Sequence, residues 1–253
     1  MKKSFFAFCS VLFLTATALF IMPSCSSSKS AVAKPNDEKT TTSDVYAPNY
    51  NQIKKNVEDK NGIYYYSELL RRFEAADTTL TAEQLHHLYY GAATRSDYDP
   101  YKSDNFSEVK EALDGDTLTE ANWQKAAQAI DEHLKKDPMN LKYHYYKLIS
   151  YSNLYGRDDE RTRNAFAQMD MLFAAISATG DGLTSESAFH VISVSDEYAI
   201  MNLFGMEMKG QSLISKNGRS YDVMKLRDNK YGVEQLYFDI TVCMQSLNKL
   251  FGN

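Results

Sequence analysis

Residues 119–156 read TEANWQKAAQAIDEHLKKDPMNLKYHYYKLISYSNLYG, and this stretch predicts two successive helices. Thr119 and Asn140 are residue types that cap a helix N-terminus. Pro138 and Gly156 stand where each helix should end, because the residue before a proline avoids helical backbone and glycine tolerates a left-handed C-terminal cap. One face of each helix is apolar, with Trp123, Ala127, Ile130 and Leu134 in the first and Leu141, Tyr145, Leu148 and Ile149 in the second. The pattern predicts a packed pair of amphipathic helices.

A third helix follows and gives the region a repeat-like rhythm. Ala165, Met169, Leu172 and Ile176 lie at helical spacing, and Gly180 ends the segment. The three helices resemble tetratricopeptide hairpins, in which small residues let paired helices approach closely. Because no second copy follows at the 34-residue period, we expect a short helical stack rather than a repeat array.

Four more helices are predicted upstream of this stack. Apolar stripes at helical spacing begin at Tyr50, Tyr66 and Phe106. Thr81 and Gln84 form the sequence pattern of a capping box, which opens another helix. The N-terminal part should therefore contain about seven helices in all.

Downstream of the stack the pattern becomes typical of strands. Residues 212–226 predict a hairpin about Asn217-Gly218, since Asn-Gly is the strongest two-residue turn signal. Further strands are predicted over residues 189–194 and 233–242. The chain is therefore predicted to hold one α+β domain over residues 46–253, in which a helical N-terminal stack carries a small C-terminal antiparallel β-sheet.

The first 24 residues have the composition of a signal peptide. Lys2 and Lys3 precede an uncharged apolar run, and small residues follow that run. Met22, Ser24 and Cys25 fit the cleavage site of a lipoprotein, with Cys25 as the lipid-bearing N-terminus of the mature chain. The alternative is an ordinary secretory signal that is cut nearby, in which case Cys25 has no role. We expect the lipid on Cys25 to anchor the protein to a membrane.

Composition limits the partners of the mature chain. Residues 25–45 are polar and should form a disordered tether. Loss of two signal lysines changes the net charge from −5 to −7, and an acidic chain without a basic run argues against nucleic acid or anionic headgroups as partners. After cleavage and lipidation Cys243 is the remaining thiol, so no intramolecular disulfide is expected.

Several aromatic motifs identify a resemblance that covers about residues 50–250. The motifs are Tyr64-Tyr65-Tyr66, Leu88-Tyr89-Tyr90-Gly91, Tyr98-Asp99-Pro100-Tyr101, residues 189–198 (FHVISVSDEY) and Leu236-Tyr237-Phe238. Together they resemble a family of domains of unknown function found in lipoproteins of Bacteroides-type bacteria. The resemblance implies an envelope location and a compact single domain, and it assigns no catalytic residue.

No catalytic, cofactor or metal motif stands out in the chain. His190 with Asp196 or Glu197 is the one candidate acid–base group, and it would make the protein a hydrolase. The alternative is a strand histidine followed by a helix cap, which we favour. His86 and His87 are adjacent on a helix and point about 100° apart, so they are poorly placed to share a metal. Cys243 is expected to be a small buried hydrophobic residue.

Tyrosine is unusually abundant, with 18 in 253 residues. Tyr89, Tyr90, Tyr98 and Tyr101 are the candidates for a glycan or small-ligand site, because exposed rings stack well on ligands and lose little entropy. The alternative is that these rings fill grooves between helices.

The favoured function is a non-enzymatic module that binds another envelope protein or a peptide through its helical stack. Glycan binding through the tyrosines is the alternative. Ser26 to Ser30 after Cys25 carry no acid, and the first acids are Asp37 and Glu38. Surface export in such bacteria requires acids closer to the cysteine, so we expect an outer-membrane lipoprotein that faces the periplasm.

The same resemblance implies two candidate O-glycosylation sites. Such bacteria modify Ser or Thr after Asp and before a methyl-bearing residue, and Thr78 and Thr117 fit this pattern. Both lie in predicted turns, where a transferase has access. The alternative is that these Asp and Thr residues are simply helix caps.

Overall fold

A computed structural model describes residues 47–101 and 106–250 of the chain. The predicted signal peptide, Cys25 and the whole of the predicted tether lie outside the described residues. Within them the chain forms nine helices and four strands: α1 (Tyr50–Glu58), α2 (Tyr66–Glu74), α3 (Ala82–Ala92), α4 (Ser107–Ala112), α5 (Glu120–Leu134), α6 (Leu141–Tyr155), α7 (Glu160–Ser177), β1 (Phe189–His190), α8 (Val194–Phe204), β2 (Met208–Lys216), β3 (Arg219–Leu226), β4 (Gln235–Asp239) and α9 (Thr241–Leu250).

The seven predicted N-terminal helices are confirmed, and so are their predicted caps. Thr81 forms a capping box with Gln84 at the start of α3, and Thr119 forms another with Asn122 at the start of α5. The Asn140 side chain accepts a hydrogen bond from the first turn of α6. Each cap satisfies backbone N–H groups that a helix end leaves unpaired.

The predicted stack is also present, since α5 packs on α6 and α6 packs on α7. A separate apolar cluster fixes α4 against α5 and α6, where Val109, Ile130 and Tyr143 are all buried. The main core lies on the other side of α6, between the helices and the sheet. The finer likeness to tetratricopeptide hairpins stays a prediction.

The sheet has the strand order β1-β4-β3-β2. Asn217 and Gly218 both adopt positive φ, at 52° and 75°, which is the backbone that a tight hairpin turn between β2 and β3 requires. β3 and β4 are antiparallel, but β1 runs parallel to β4, with Phe189 beside Phe238. The prediction of a wholly antiparallel sheet is therefore wrong at this edge, and the sheet is mixed.

The predicted strand over residues 189–194 shortens to two residues for a local reason. The Ser193 side chain accepts a hydrogen bond from the backbone N–H of Ser195 and so caps α8. Helix α8 then starts at Val194 and runs to a left-handed Gly205. Because this helix separates β1 from β2, β1 meets the sheet next to β4 rather than as part of a meander.

The sheet lies against the helices through one packed face. Met224 of β3 and Phe238 of β4 are fully buried and belong to the same core cluster as Tyr90 and Ile176. At the far edge, no residue of β2 is buried. None of the described helices combines the length and apolarity that crossing a bilayer requires.

Candidate functional site

A groove of about 670 Å³ lies between α5 and α6, and residues of α2 and α7 also line it. On α5 the lining residues Gln124, Gln128 and Asp131 recur at spacings of four and three, so they share one helix face. On α6, the lining residues Lys147 and Tyr151 are four positions apart and therefore also share one helix face. The groove is therefore built from two facing polar stripes that lie outside the core.

The floor of the groove is apolar. Phe73 from the end of α2 and Ala127 and Leu134 from α5 line it, and all three are buried. The small side chain at Ala127 leaves depth between the helices. An apolar floor below a polar rim is the usual construction of a ligand groove.

A polar network crosses the groove from α5 to α6. The Tyr151 hydroxyl donates a 2.7 Å hydrogen bond to Asp131 Oδ2, and Lys147 Nζ lies 3.1 Å from Asp131 Oδ1. Lys147 also lies 5.2 Å from the centre of the Tyr151 ring. Burial and the bond to Asp131 raise the pKa of Tyr151, so its hydroxyl stays protonated and held in place. The network fixes the spacing of the two walls.

His144 of α6 is the buried titratable residue in the groove wall. Its Nε2 is 2.9 Å from the Pro138 carbonyl, and its ring meets the Phe73 ring edge to face at 5.4 Å. Burial lowers its pKa to about 4, so the ring is neutral at pH 7 and Nε2 is the donor to Pro138. Nδ1 is then an acceptor, and no described residue hydrogen bonds to it.

Gln168 connects the groove to the end of α2. Its side-chain nitrogen donates to the carbonyls of Phe73 at 3.3 Å and Glu74 at 3.0 Å. These carbonyls belong to the last turn of α2, and the Phe73 carbonyl also accepts from the Ala76 N–H at 2.9 Å. Gln168 of α7 therefore holds α2 in place as one end wall of the groove.

The outer wall of the groove is aromatic. Tyr155 is 38% exposed and meets Tyr151 edge to face at 5.3 Å. The Arg161 guanidinium covers one face of the Tyr155 ring at 3.4 Å from its centre. A ligand in the groove therefore meets ring edges and one remaining ring face, not a free stacking platform.

The tyrosines predicted to bind a glycan do not form one site. Tyr89 and Tyr90 are 0% exposed, so the prediction that they present rings to a ligand is wrong. Adjacent helix positions usually include one on the surface, but α3 is enclosed by α1, α2 and α7. The Tyr89 hydroxyl donates to Asp196, and the Tyr90 hydroxyl donates to the His190 carbonyl.

The other two predicted tyrosines are also tied to the protein. The half-buried Tyr98 donates to the Ile192 carbonyl at 2.7 Å and lines a second cavity of about 90 Å³. Tyr101 is 40% exposed and directs its hydroxyl at the Met244 sulfur at 3.4 Å. Of the four rings, Tyr101 alone is open to a ligand over a large part of its surface.

The proposed acid–base group is not assembled. His190 Nδ1 lies 3.2 Å from an Arg219 nitrogen, whereas the Asp196 carboxyl accepts from Tyr89 and from the Leu141 N–H. Glu197 is fully buried, and neither of its carboxyl oxygens has a hydrogen bond to a described residue. No hydrogen bond joins His190 to either acid within the described part of the chain, so the geometry gives the hydrolase hypothesis no support.

The cysteine and the adjacent histidines discussed from the sequence are packed within the fold. Cys243 is fully buried, as predicted, and burial raises its pKa to about 12. The His87 ring stacks on Tyr64 at 3.9 Å, while burial lowers the pKa of His86 to about 4. The described residues contain no group of three or more His, Cys, Asp or Glu side chains placed to hold a metal ion.

Thr78 and Thr117 are both exposed and lie outside helices. At the first site, the Asp77 carboxylate accepts from the Thr79 N–H and pairs with Arg72, which ties it to the turn between α2 and α3, while Thr81 is the N-cap of α3. Both residues are exposed, and O-glycosylation of Thr78 and Thr117 stays a prediction.

The groove residues were not predicted, because they form no motif in the sequence. The signal that marks them is a pair of polar stripes at helical spacing, with Gln124, Gln128 and Asp131 on α5 and Lys147 and Tyr151 on α6. Each stripe alone looks like a solvated helix face. Only the packing of α5 on α6 shows that the stripes face each other.

Residues 51–249 match the model of a family described as Domain of unknown function (DUF4919). Comparisons with curated proteins and with solved structures gave no significant match. The family match runs from α1 into α9 and includes every residue of the groove. The predicted membership in a family of domains of unknown function is thus confirmed, and the chain belongs to the DUF4919 family.

Proposed function

We propose that this protein is a lipid-anchored envelope protein whose groove binds an extended segment of another envelope protein. The groove between α5 and α6 is the observation that carries the proposal, because it joins an apolar floor to a rim of amide and hydroxyl groups. The protein acts as a binding module and not as an enzyme. His190 and Asp196 have structural partners, and Glu197 is fully buried.

The chemistry of the rim favours a polypeptide as ligand. A glutamine amide both donates and accepts, so Gln124 and Gln128 match the N–H and C=O of a peptide bond. Ala127 and Leu134 below them suit an apolar side chain of the bound segment. A glycan is the less favoured ligand, since Arg161 covers one face of Tyr155 and the Tyr151 hydroxyl is already bonded.

A photo-crosslinking residue at position 128 tests the proposal in the native host. Gln128 is exposed in the groove, so a bound segment should be captured there and identified by mass spectrometry. A synthetic peptide of the captured segment should then bind the purified full chain. Gln128→Arg, which places a long cation across the groove, should weaken that binding at least about tenfold, or 1.4 kcal/mol.

Gln245→Arg is the matched control, because Gln245 is exposed on α9 and does not line the groove. It should bind the peptide like the unchanged chain. Equal loss in both variants, or capture at position 128 of a glycan instead of a polypeptide, would contradict the proposal.

The anchor and location are part of the same proposal. We expect labelled palmitate to be incorporated at Cys25 and the protein to fractionate with the outer membrane; Cys25→Ala should lose both properties. The domain should resist protease added to intact cells and be digested after permeabilisation, as a periplasm-facing protein would be. Digestion without permeabilisation would place the domain on the cell surface.

A further inference from the structure

The sheet has one long unpaired edge. β2 hydrogen bonds to β3 on one side and has no strand partner on its other side among the described residues. It is nine residues long, whereas the opposite edge strand β1 has two residues. An exposed edge strand offers a row of N–H and C=O groups to any strand that can pair with it.

The side chains of β2 make this edge accessible. None of its nine residues is buried, and Leu213 near its middle is 55% exposed. Residues 210–215 carry no charge. Lys209 lies at a shift in the β2–β3 register, and Lys216 pairs with Glu186. The lysines therefore limit the open edge to about six residues, the usual length of a strand.

We propose that two copies of this chain pair antiparallel through β2, with Leu213 of one copy opposite Leu213 of the other. This register places each exposed leucine against its equivalent and removes both from water. It also keeps like charges apart, since Lys216 then lies opposite Gly210, and Lys209 lies opposite Asn217 of the hairpin turn, so that no lysine faces a lysine. The pairing is a closed two-fold contact that joins two four-stranded sheets into one.

A second copy fits this edge because the register matches the uncharged part of β2 to itself. Residues 211–215 of one copy lie opposite residues 215–211 of the other, so five consecutive uncharged pairs centre on the exposed Leu213. The pair rests on main-chain hydrogen bonds and on few side chains, which makes it a small interface of the weak, transient class. We expect a dimer that forms as the concentration of the protein rises.

Oxidative crosslinking tests the register. The full chain, with Cys9 and Cys25 changed to serine and purified in detergent, keeps only the buried Cys243. In this background Leu213→Cys places two thiols at directly paired positions, where Cβ atoms lie about 5 Å apart. Ser215→Cys is the control on the same face, because its equivalent lies four residues along the partner strand, about 13 Å away. We expect covalent dimer from Leu213→Cys and at least roughly tenfold less from Ser215→Cys.

Sedimentation of the full chain gives an independent measurement. Leu213→Lys brings two cations together in the dimer and should raise its dissociation constant at least about tenfold. Leu183→Lys adds the same charge at another leucine, 47% exposed and outside β2, and should leave the constant unchanged. Equal crosslinking at positions 213 and 215 would show co-localisation in detergent alone and overturn the pairing. A protein that sediments as a monomer at every concentration would also overturn the pairing. So would oxidative crosslinking of Leu213→Cys in native membranes, if it joined the chain only to other proteins.

Discussion

The Tyr89 hydroxyl donates a 2.7 Å hydrogen bond to Asp196 Oδ2, across 107 positions of the chain. The other carboxyl oxygen of Asp196 accepts from the backbone N–H of Leu141 at 3.1 Å. One buried side chain on α8 thereby joins the middle of α3 to the first turn of α6. Burial outweighs both bonds and raises the pKa of Asp196 to about 7. The contact explains why a tyrosine that looks like a ligand-binding residue in the sequence is structural.

Tyr89→Phe should destabilise the protein by about 1–3 kcal/mol, because it leaves buried polar groups without a partner. Asp196 loses a donor, and the Ile192 N–H loses the acceptor that it has at 3.3 Å. Denaturant unfolding measures the change. Tyr231→Phe removes a hydroxyl from a 50% exposed ring and should change stability by less than about 0.5 kcal/mol. Equal effects of the two variants would show that the buried bond contributes nothing specific.

Glu197→Gln should stabilise the protein more as pH rises. Burial, and then the acids Asp222 and Asp196 nearby, raise the pKa of Glu197 from 4.5 to about 9. Between these values the unfolded chain ionises Glu197 while the folded chain keeps it protonated, so folding loses stability as pH increases through this window. Glutamine has no proton to lose and avoids the penalty. We expect little difference near pH 4 and a gain that reaches at most about 5 kcal/mol at pH 8, since each pH unit of this window contributes up to about 1.4 kcal/mol.

Unfolding by denaturant at pH 4, 6 and 8 measures the gain. Glu108→Gln is the matched control, since Glu108 is exposed on α4. A gain from Glu197→Gln that stays constant across pH, or that the control reproduces, would mean that ionisation of Glu197 does not oppose folding.

Gln168→Leu should loosen the end of α2 and the groove wall that it forms. The leucine keeps the packing volume but removes both hydrogen bonds to the Phe73 and Glu74 carbonyls. We expect a loss of about 1–2 kcal/mol in stability and faster amide hydrogen exchange in the last turn of α2. Gln124→Leu, at an exposed position of the same groove, should leave that exchange unchanged. Unchanged exchange in Gln168→Leu would show that α2 is held by apolar packing alone.

Features set by neighbouring residues were predictable from the sequence. The cap at Thr119, the cap at Asn140 and the Asn217-Gly218 turn all follow from short-range chemistry, and all are present. The parallel pairing of Phe189 with Phe238 was not predictable. It joins segments about fifty positions apart through α8, and no periodicity within either segment records the direction of its partner.

The candidate site also combines features that follow from neighbouring residues with features that depend on distant segments. The apolar face of α5 was read correctly from its spacing, but the polar face with Gln124 and Gln128 has meaning only because α6 lies opposite. Burial of both Tyr89 and Tyr90 likewise depends on helices on several sides of α3. Periodicity within one helix identifies which residues share a face, and it does not say whether another element covers that face.

Gly180→Ala should destabilise the protein strongly. A Cβ at this position would overlap the carbonyl of Ser187, and backbone cannot move aside as a flexible side chain can. The same carbonyl accepts from the Gly182 N–H at 2.7 Å and closes the loop that leads from α7 into β1. The methyl group therefore opens the loop or shifts β1, at a cost of about 2–4 kcal/mol. Gly210→Ala is the matched control, because a Cβ there meets nothing within 4 Å. Thermal unfolding of the two variants separates them, and a Gly180→Ala protein as stable as Gly210→Ala would show that the loop between α7 and β1 can rearrange freely.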